Sequence, residues 1–302
     1  MRLAAIDIGS NAARLLISDV LNNPPAKPEF IKMALVRVPL RLGFDVFDKG
    51  EITQVRAEKV IKTIKSYKLL MDVYDVKHVK ACATSAMRDA ANGPQIMERV
   101  KAETGVEITI ISGQEEASFI YENHIAENMT TDESYLYIDV GGGSTELTFF
   151  SDGKLIFKES FNIGTIRILK NQVTEKQWDT MKEFVKARTK GFHHVTAIGS
   201  GGNINKIFSI SKRKDGKPLS LELLRDYYKE FSSLSLDQRM SLYRLREDRA
   251  DVIVPALLIY INVMRWADAE NIFVPKIGLA DGLIQSLYEE IQGISKTESL
   301  IV

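Results

Sequence analysis

One short pattern occurs twice in this chain. Ile6-Asp7-Ile8-Gly9 aligns without a gap on Ile138-Asp139-Val140-Gly141, a shift of 132 residues, and Leu15 then falls on Leu147. Each copy has the same local design. A β-rich apolar run carries an Asp near its end, a turn of Gly and small polar residues follows, and a second β-rich run returns. The first copy runs from Arg2 to Ile8, turns at Gly9-Ser10-Asn11 and resumes from Ala13 to Val20. The second runs from Tyr135 to Val140, turns at Gly141-Gly142-Gly143-Ser144 and resumes from Glu146 to Phe150. A later pair keeps the same order: Val79-Lys80-Ala81-Cys82-Ala83-Thr84-Ser85 runs parallel to Val195-Thr196-Ala197-Ile198-Gly199-Ser200-Gly201. Each half therefore reads as a hairpin sheet followed by a strand that feeds a small-residue turn and a helix. Chance similarity of two strand-turn-strand units is the plain alternative, and the second matched pair in the same order weighs against it. The 302 residues suit two domains of about 150 residues each. Two like halves invite a cleft between them, where ligands are commonly held.

The elements between these landmarks complete an α/β reading. Asn22 to Pro28, rich in proline, reads as a connection to a third strand, Glu29 to Val38. Thr53 is placed to cap a helix through about Tyr74, with Val60, Ile61, Ile64, Tyr67 and Met71 on one face. Pro94 opens a helix that Gly105 closes. Val106 to Ile111 reads as a strand and Gln114 to Asn128 as a helix. Ser151-Asp152-Gly153-Lys154 turns into a strand from Leu155 to Phe161. Thr174 and Gln177 form a capping box for a helix ending near Lys190, with Gly191 after it. The remainder is mostly helical, apart from Asn271 to Val274. These elements divide into an N-terminal domain, 1–128, and a C-terminal domain, 129–285, with a last helix at about 286–302 that packs back on the first.

Charge and composition exclude several classes. Lys plus Arg number 40 and Asp plus Glu number 40, so no global basic field exists for gripping nucleic acid or an anionic membrane. The longest apolar stretch, Val252 to Met264, contains Asn262 and meets Arg265, too short to span a bilayer. The first residues read as a strand, not a signal peptide, so a cytoplasmic protein is expected. Cys82 is the sole cysteine and sits in an apolar strand, which suits a small core residue better than a nucleophile. His78, His124, His193 and His194 show no paired metal-ligand spacing.

The turns carry the chemistry. Asp139 to Glu146 lies between two strands and holds no Lys, which excludes a Walker A loop and a dinucleotide fingerprint, both of which need a helix directly after the glycines. Successive glycine N–H groups can instead approach a phosphate oxygen and form an anion nest, with Ser144 and Thr145 adding hydroxyls. Asp139 and Glu146 place two carboxylates near the same phosphate, a combination that needs a hard cation between them, and Mg²⁺ suits that role. An ordinary glycine-rich hairpin with surface acids is the plain alternative. Asp7, Ser10 and Asn11 form the same device in the first half, where a simple turn would serve as well. Gly199-Ser200-Gly201-Gly202 leads into a helix N-terminus, a place that favours anions. Glu115 and Glu116 open another helix. Compensation of the helix dipole accounts for them, and so would a general base. Arg88 could clamp a phosphate or simply lie on the surface near a helix start.

In order, these motifs resemble the exopolyphosphatase/guanosine pentaphosphate phosphohydrolase (Ppx/GppA) family. The resemblance rests on Ile6 to Asn11, Arg41-Leu42-Gly43, Ala83 to Arg88, Ile111 to Ala117, Ile138 to Glu146, Asn162 to Arg167, Gly199 to Gly202 and Arg249 to Ile253. It implies an actin-like ATPase fold of two ribonuclease-H-like domains. It also implies hydrolysis of the terminal phosphate of inorganic polyphosphate or of guanosine pentaphosphate, usually with Mg²⁺. By the same resemblance Glu116 is the catalytic glutamate, a general base, and the metal-linked acids are Asp139 and Glu146, with Asp7 their first-half counterpart. Phosphate binding is expected at Ser10, Asn11, Arg88, Gly141, Gly142, Gly143, Ser144, Gly199, Ser200 and Gly201, and a homodimer is plausible. Ala12 stands where the family often has Ser, and the chain ends at Val302 without the C-terminal HD-type region of longer members. With the neutral total charge, this favours short chains or a compact substrate. An ATP-dependent kinase or ATPase of the same superfamily, or a sensor that binds polyphosphate or an alarmone without turnover, would share the turns.

Overall fold

The computed structural model describes residues 1–22, 27–122, 133–192, 194–275 and 278–294. Part of the proline-rich connection, the end of the helix expected through Asn128, His124, His193 and the final eight residues lie outside them. In chain order the elements begin with β1 (Arg2–Ile8), β2 (Ala13–Leu21), β3 (Glu29–Val38), α1 (Gly43–Lys49), α2 (Gln54–Val73), β4 (His78–Ala83), α3 (Ser85–Asp89), α4 (Gly93–Thr104) and β5 (Thr109–Ile110). There follow α5 (Gly113–Glu122), β6 (Ser134–Val140), β7 (Thr145–Ser151), β8 (Lys154–Phe161), α6 (Thr165–Leu169), α7 (Glu175–Thr189), β9 (Val195–Ser200) and α8 (Gly202–Ser211). The last are β10 (Leu219–Ser220), α9 (Leu221–Ser233), α10 (Leu236–Tyr243), α11 (Glu247–Ala250), α12 (Ile253–Trp266), β11 (Asn271–Phe273) and α13 (Leu279–Gln292).

The chain forms two units, one of Met1–Ile111 with Leu279–Val302, the other of Ser112–Gly278. The first holds a five-stranded sheet in the order β3-β2-β1-β4-β5, the second a six-stranded sheet in the order β10-β11-β9-β6-β7-β8. In the first, β1 and β3 run antiparallel to β2, and β4 runs parallel to β1 and β5. In the second, β6 and β8 run antiparallel to β7, and β9 runs parallel to β6 and β11. Apart from β10, the two sheets have the same topology, so the repeated motif reflects a repeated fold. After Arg2, β1 is buried on both faces, which is why it reads as a continuous apolar run instead of an alternating one. The second core gathers Leu136, Ile138, Leu147 and Phe149 of the sheet with Ile253, Leu257 and Val263 of α12. Cys82 is buried in β4, as expected of a core residue. Among the described residues no helix is long and apolar enough to cross a membrane.

Three local readings change. Thr53 occupies the N-cap position of α2, but its hydroxyl donates to Asp45 Oδ2 at 2.6 Å instead of capping the helix. The strand expected from Val106 shrinks to Thr109–Ile110, because the Val106 N–H donates to Thr104 Oγ1 in closing α4. β10 is only two residues long, too short to leave a periodic signature, and its Ser220 also caps α9 by accepting from Leu223 N–H.

The unit boundaries also differ from 128/129 and 285/286. Helix α5 follows β5 directly in sequence yet packs on β7 and β8, so the division falls before Ser112. Helix α13 starts at Leu279 and packs on β1, β2 and β4 through the buried Leu283, Ile284 and Tyr288. Amphipathic periodicity shows that a helix has a buried face, not which sheet receives it. Lys32 and Lys80 add ion pairs to Asp281 and Glu290. Replacing the fully buried Leu283 by Ala is expected to destabilise the first unit by about 2–5 kcal/mol. Denaturant unfolding checks this; a loss below about 0.5 kcal/mol would show that α13 is not part of its core.

Candidate active site

The β6–β7 hairpin places Asp139 directly opposite Glu146. Between them the turn closes through the Gly141 N–H donating to Ser144 O at 2.9 Å. The chain returns to brace this turn. Thr165 and Ile166 N–H donate to the carbonyls of Gly141 and Gly142, and Arg167 Nε donates to Gly143 O at 2.7 Å. The approach is so close that a Cβ on Gly164 would lie 2.5 Å from backbone atoms of Gly142 and Gly143. Three carbonyls of the glycine turn are therefore engaged by the segment entering α6, which makes the turn rigid. Thr145, expected to offer a hydroxyl to a ligand, spends it inside the protein by donating to Ile163 O at 2.6 Å. Ser144 is buried.

Glu116 joins these acids from α5. Ser112 and Glu115 form the reciprocal pair of a capping box: Ser112 N–H and Oγ donate to Glu115 Oε2, each at 2.8 Å, and Glu115 N–H donates back to Ser112 Oγ. The hydrogen bonds from Ser112 hold the Glu115 carboxyl below its usual range. The Ser-x-x-Glu spacing was a readable signal of that cap, and it separates two adjacent glutamates by role. Glu115 fastens the helix end, while Glu116 is buried beside Asp139 and Glu146. One carboxylate oxygen from each of the three acids lies within 4.8 Å of the others. Ser160, cross-strand neighbour of Glu146, donates to its Oε1 at 3.0 Å. The donor set is all hard oxygen, which fits Mg²⁺ or a similar divalent cation and suits soft metals poorly.

The turn after β9 lies against the same acids. Gly201 has φ +97°, a conformation open to glycine, and a Cβ there would come 2.8 Å from Asp139 Oδ1. The fully buried Tyr260 of α12 donates to Ser200 O at 2.6 Å. Burial raises its phenol well above the ordinary tyrosine range, and the neighbouring Asp139 carboxylate adds to the rise. On the other side of the turn the Arg249 guanidinium lies within 3 Å of where a Gly202 Cβ would be, and its Nη1 donates to Asn203 Oδ1 at 2.7 Å. Arg249 thus brings positive charge to the start of α8, where N–H groups already favour anions. The turn motifs alone do not reveal this contact.

In the first unit the same hairpin is filled differently. Asp7 pairs with Arg14 in the β1–β2 register, the positions that Asp139 and Glu146 occupy in the second. Arg14 Nη1 contacts Asp7 Oδ2 at 2.5 Å. Asp7, read from the sequence with the metal-linked acids, is therefore engaged by an arginine and does not belong to the three-acid group. Ser10 Oγ and Ser85 Oγ share a buried hydrogen bond of 2.8 Å, and the Ser10 and Asn11 carbonyls accept from Gly43 and Arg41 N–H. Arg88 Nη1 donates to Ile111 O at 2.8 Å. Of the described histidines, His78 is exposed at the start of β4 and His194 precedes β9, both outside the acid group.

Duplicated sheets, each with a tight β-hairpin turn, define an actin-like ATPase fold, and structural comparison bears this out. An exopolyphosphatase from Cytophaga hutchinsonii superposes with a TM-score of 0.82 at 24% identity, covering 98% of this chain and 99% of that one. The Ppx/GppA family member of Aquifex aeolicus gives 0.74 at 26% identity, covering 96% and 98%. The profile of the Ppx/GppA phosphatase family matches residues 27–290, and the chain belongs to that family. It is 28% identical to a bifunctional 3-dehydroquinate synthase/phosphatase of Fusobacterium nucleatum over 96% of this chain, spanning 46% of that longer protein. It is 26% identical to exopolyphosphatase 1 of Mycobacterium tuberculosis, covering 99% of this chain and 92% of the relative.

Adding one methyl at Gly164 tests the bracing of the turn. Gly164→Ala is expected to destabilise the second unit by about 1–3 kcal/mol through overpacking. A thermal melt matching that of the unchanged protein would show that the turn yields without cost.

Proposed function

We propose that this protein hydrolyses the terminal phosphoanhydride of inorganic polyphosphate, releasing orthophosphate. The observation that carries the reading is the convergence of Glu116, Asp139 and Glu146 between a glycine turn and a helix N-terminus. The exopolyphosphatases among its relatives support polyphosphate as the substrate.

The residues divide the work. Amide groups of Gly142, Gly143 and Ser144, with those at Gly201 and Gly202, bind phosphate oxygens. Glu116 orients a water for in-line attack and accepts its proton as the new P–O bond forms. The bridging P–O bond breaks, and the shortened polyphosphate leaves. Asp139 and Glu146 would hold a divalent cation, which when bound supplies charge neutralisation at the phosphoryl oxygens. Arg249 adds a fixed positive charge at the α8 end of this centre. Little covalent chemistry is asked of the protein; positioning and electrostatics suffice. In the first unit, Ser10, Asn11 and Arg88 are proposed as further phosphate-binding groups.

The zero net charge favours short chains or a compact substrate over long polyanions. Guanosine pentaphosphate ends in the same anhydride and is a second candidate. Comparison of kcat/KM on it and on polyphosphates of several lengths ranks them. A kinase of the same fold would need ATP, and a sensor would bind without turnover. Magnesium-dependent phosphate release from polyphosphate without nucleotide excludes both. Sedimentation velocity tests the homodimer that the family resemblance suggests.

Two outcomes are expected. Glu116→Gln lowers kcat by about 10²-fold or more without lowering the melting temperature; a rate close to that of the unaltered enzyme removes Glu116 as the base. Chelation of divalent cations abolishes phosphate release and added Mg²⁺ restores it. Full activity in excess chelator would refute the metal-assisted reading.

A further inference from the structure

We infer that Ser160 is the positioning residue of the acid centre, and that strand β8 sets the placement of Glu146 and Glu116 together. The inference rests on the metal-holding role proposed for Glu146. Ser160 stands directly across from Glu146 in the β7–β8 register, and its hydroxyl proton goes to Oε1 at 3.0 Å. That bond fixes one carboxylate oxygen and so orients the group. The same side chain is the floor on which α5 begins. A Cβ on Gly113 would meet Ser160 Oγ at 2.2 Å and Ser160 Cβ at 2.6 Å, so glycine is needed for the helix to come this close. Two residues earlier on the same face of β8, Lys158 donates to Ser118 Oγ of α5. Strand β8 therefore touches the helix at Gly113 and at Ser118, on either side of Glu116.

Outer hydrogen bonds of this kind orient metal-holding carboxylates, and their loss typically costs about 10–100-fold in metal affinity. Ser160 touches neither substrate nor water in this account; it acts through Glu146. Its removal should weaken cation binding far more than it lowers the rate at saturating cation. The sequence gives no hint of this role, since a serine in an edge strand is unremarkable until its cross-strand partner is known.

The test is calorimetric titration of the full chain with Mn²⁺, comparing the unaltered protein, Ser160→Ala and Glu146→Gln, with melting temperatures recorded for each. Expected is measurable binding to the unaltered protein, loss with Glu146→Gln, and an affinity about tenfold weaker with Ser160→Ala at an unchanged melting temperature. Raising Mg²⁺ should then return the kcat of Ser160→Ala to near that of the unaltered enzyme. If Ser160→Ala melts early, Ser160→Cys keeps volume beside Gly113 with only a weak donor and carries the same comparison. Equal Mn²⁺ affinity in the unaltered and Ser160 variants overturns the positioning role and leaves the acid centre standing. Absence of Mn²⁺ binding by the unaltered protein overturns both.

Discussion

Two carboxylates facing each other across a hairpin are the constraint on which the second unit is built. Asp139 and Glu146 share one register position, and Glu116 arrives from a helix to bring three acid oxygens within 4.8 Å. At that separation each pair of like charges repels by on the order of 3 kcal/mol at an effective dielectric near 20. The surroundings reflect that load. Ser160 donates to one acid, the Gly201 backbone crowds another, and the start of α5 at Gly113, with its positive dipole end, lies close to Glu146. A turn braced by α6 and a tyrosine tied to the Ser200 carbonyl keep the whole arrangement from relaxing.

The first unit shows what the same hairpin becomes without that load. With Arg14 opposite Asp7 the charges cancel within the hairpin. The two repeats therefore share a backbone while differing in electrostatic character, one pairing its aspartate with an arginine and the other gathering three acids. This is how a duplicated fold can specialise one copy for chemistry. The residue opposite the repeated aspartate, Arg14 in one copy and Glu146 in the other, and the arrival of Glu116 from α5 together make that difference.

Much of this was legible beforehand. The repeat predicted the sheets, because β1 and β6 are central strands that each carry an Asp just before a small-residue turn. The capping box at Thr174 and Gln177 and the glycine stop at Gly105 were written in local chemistry and are found as read. What escaped was non-local. Arg14 falls on Glu146 in the 132-residue shift, but that each faces the aspartate of its own hairpin shows only once the strands are paired. Thr145 looked available until the Ile163 carbonyl was seen to take its hydroxyl. Helix α5 carried its periodicity openly but not the identity of the sheet that would cover it. Ser160 and Tyr260 act on atoms far away in the sequence, which no spacing rule reaches.

The boundary at Ile111 and the return at Leu279 have a consequence for how this chain comes into being. The second unit is one continuous stretch, whereas the first is interrupted by it and recovers its covering helix only at the far end. During synthesis the sheet of the first unit emerges early but lacks α13, and the apolar surface of β1, β2 and β4 that this helix covers stays exposed until the ribosome has made everything between. The second unit has all its parts before then, so it can be complete while the first still waits for α13.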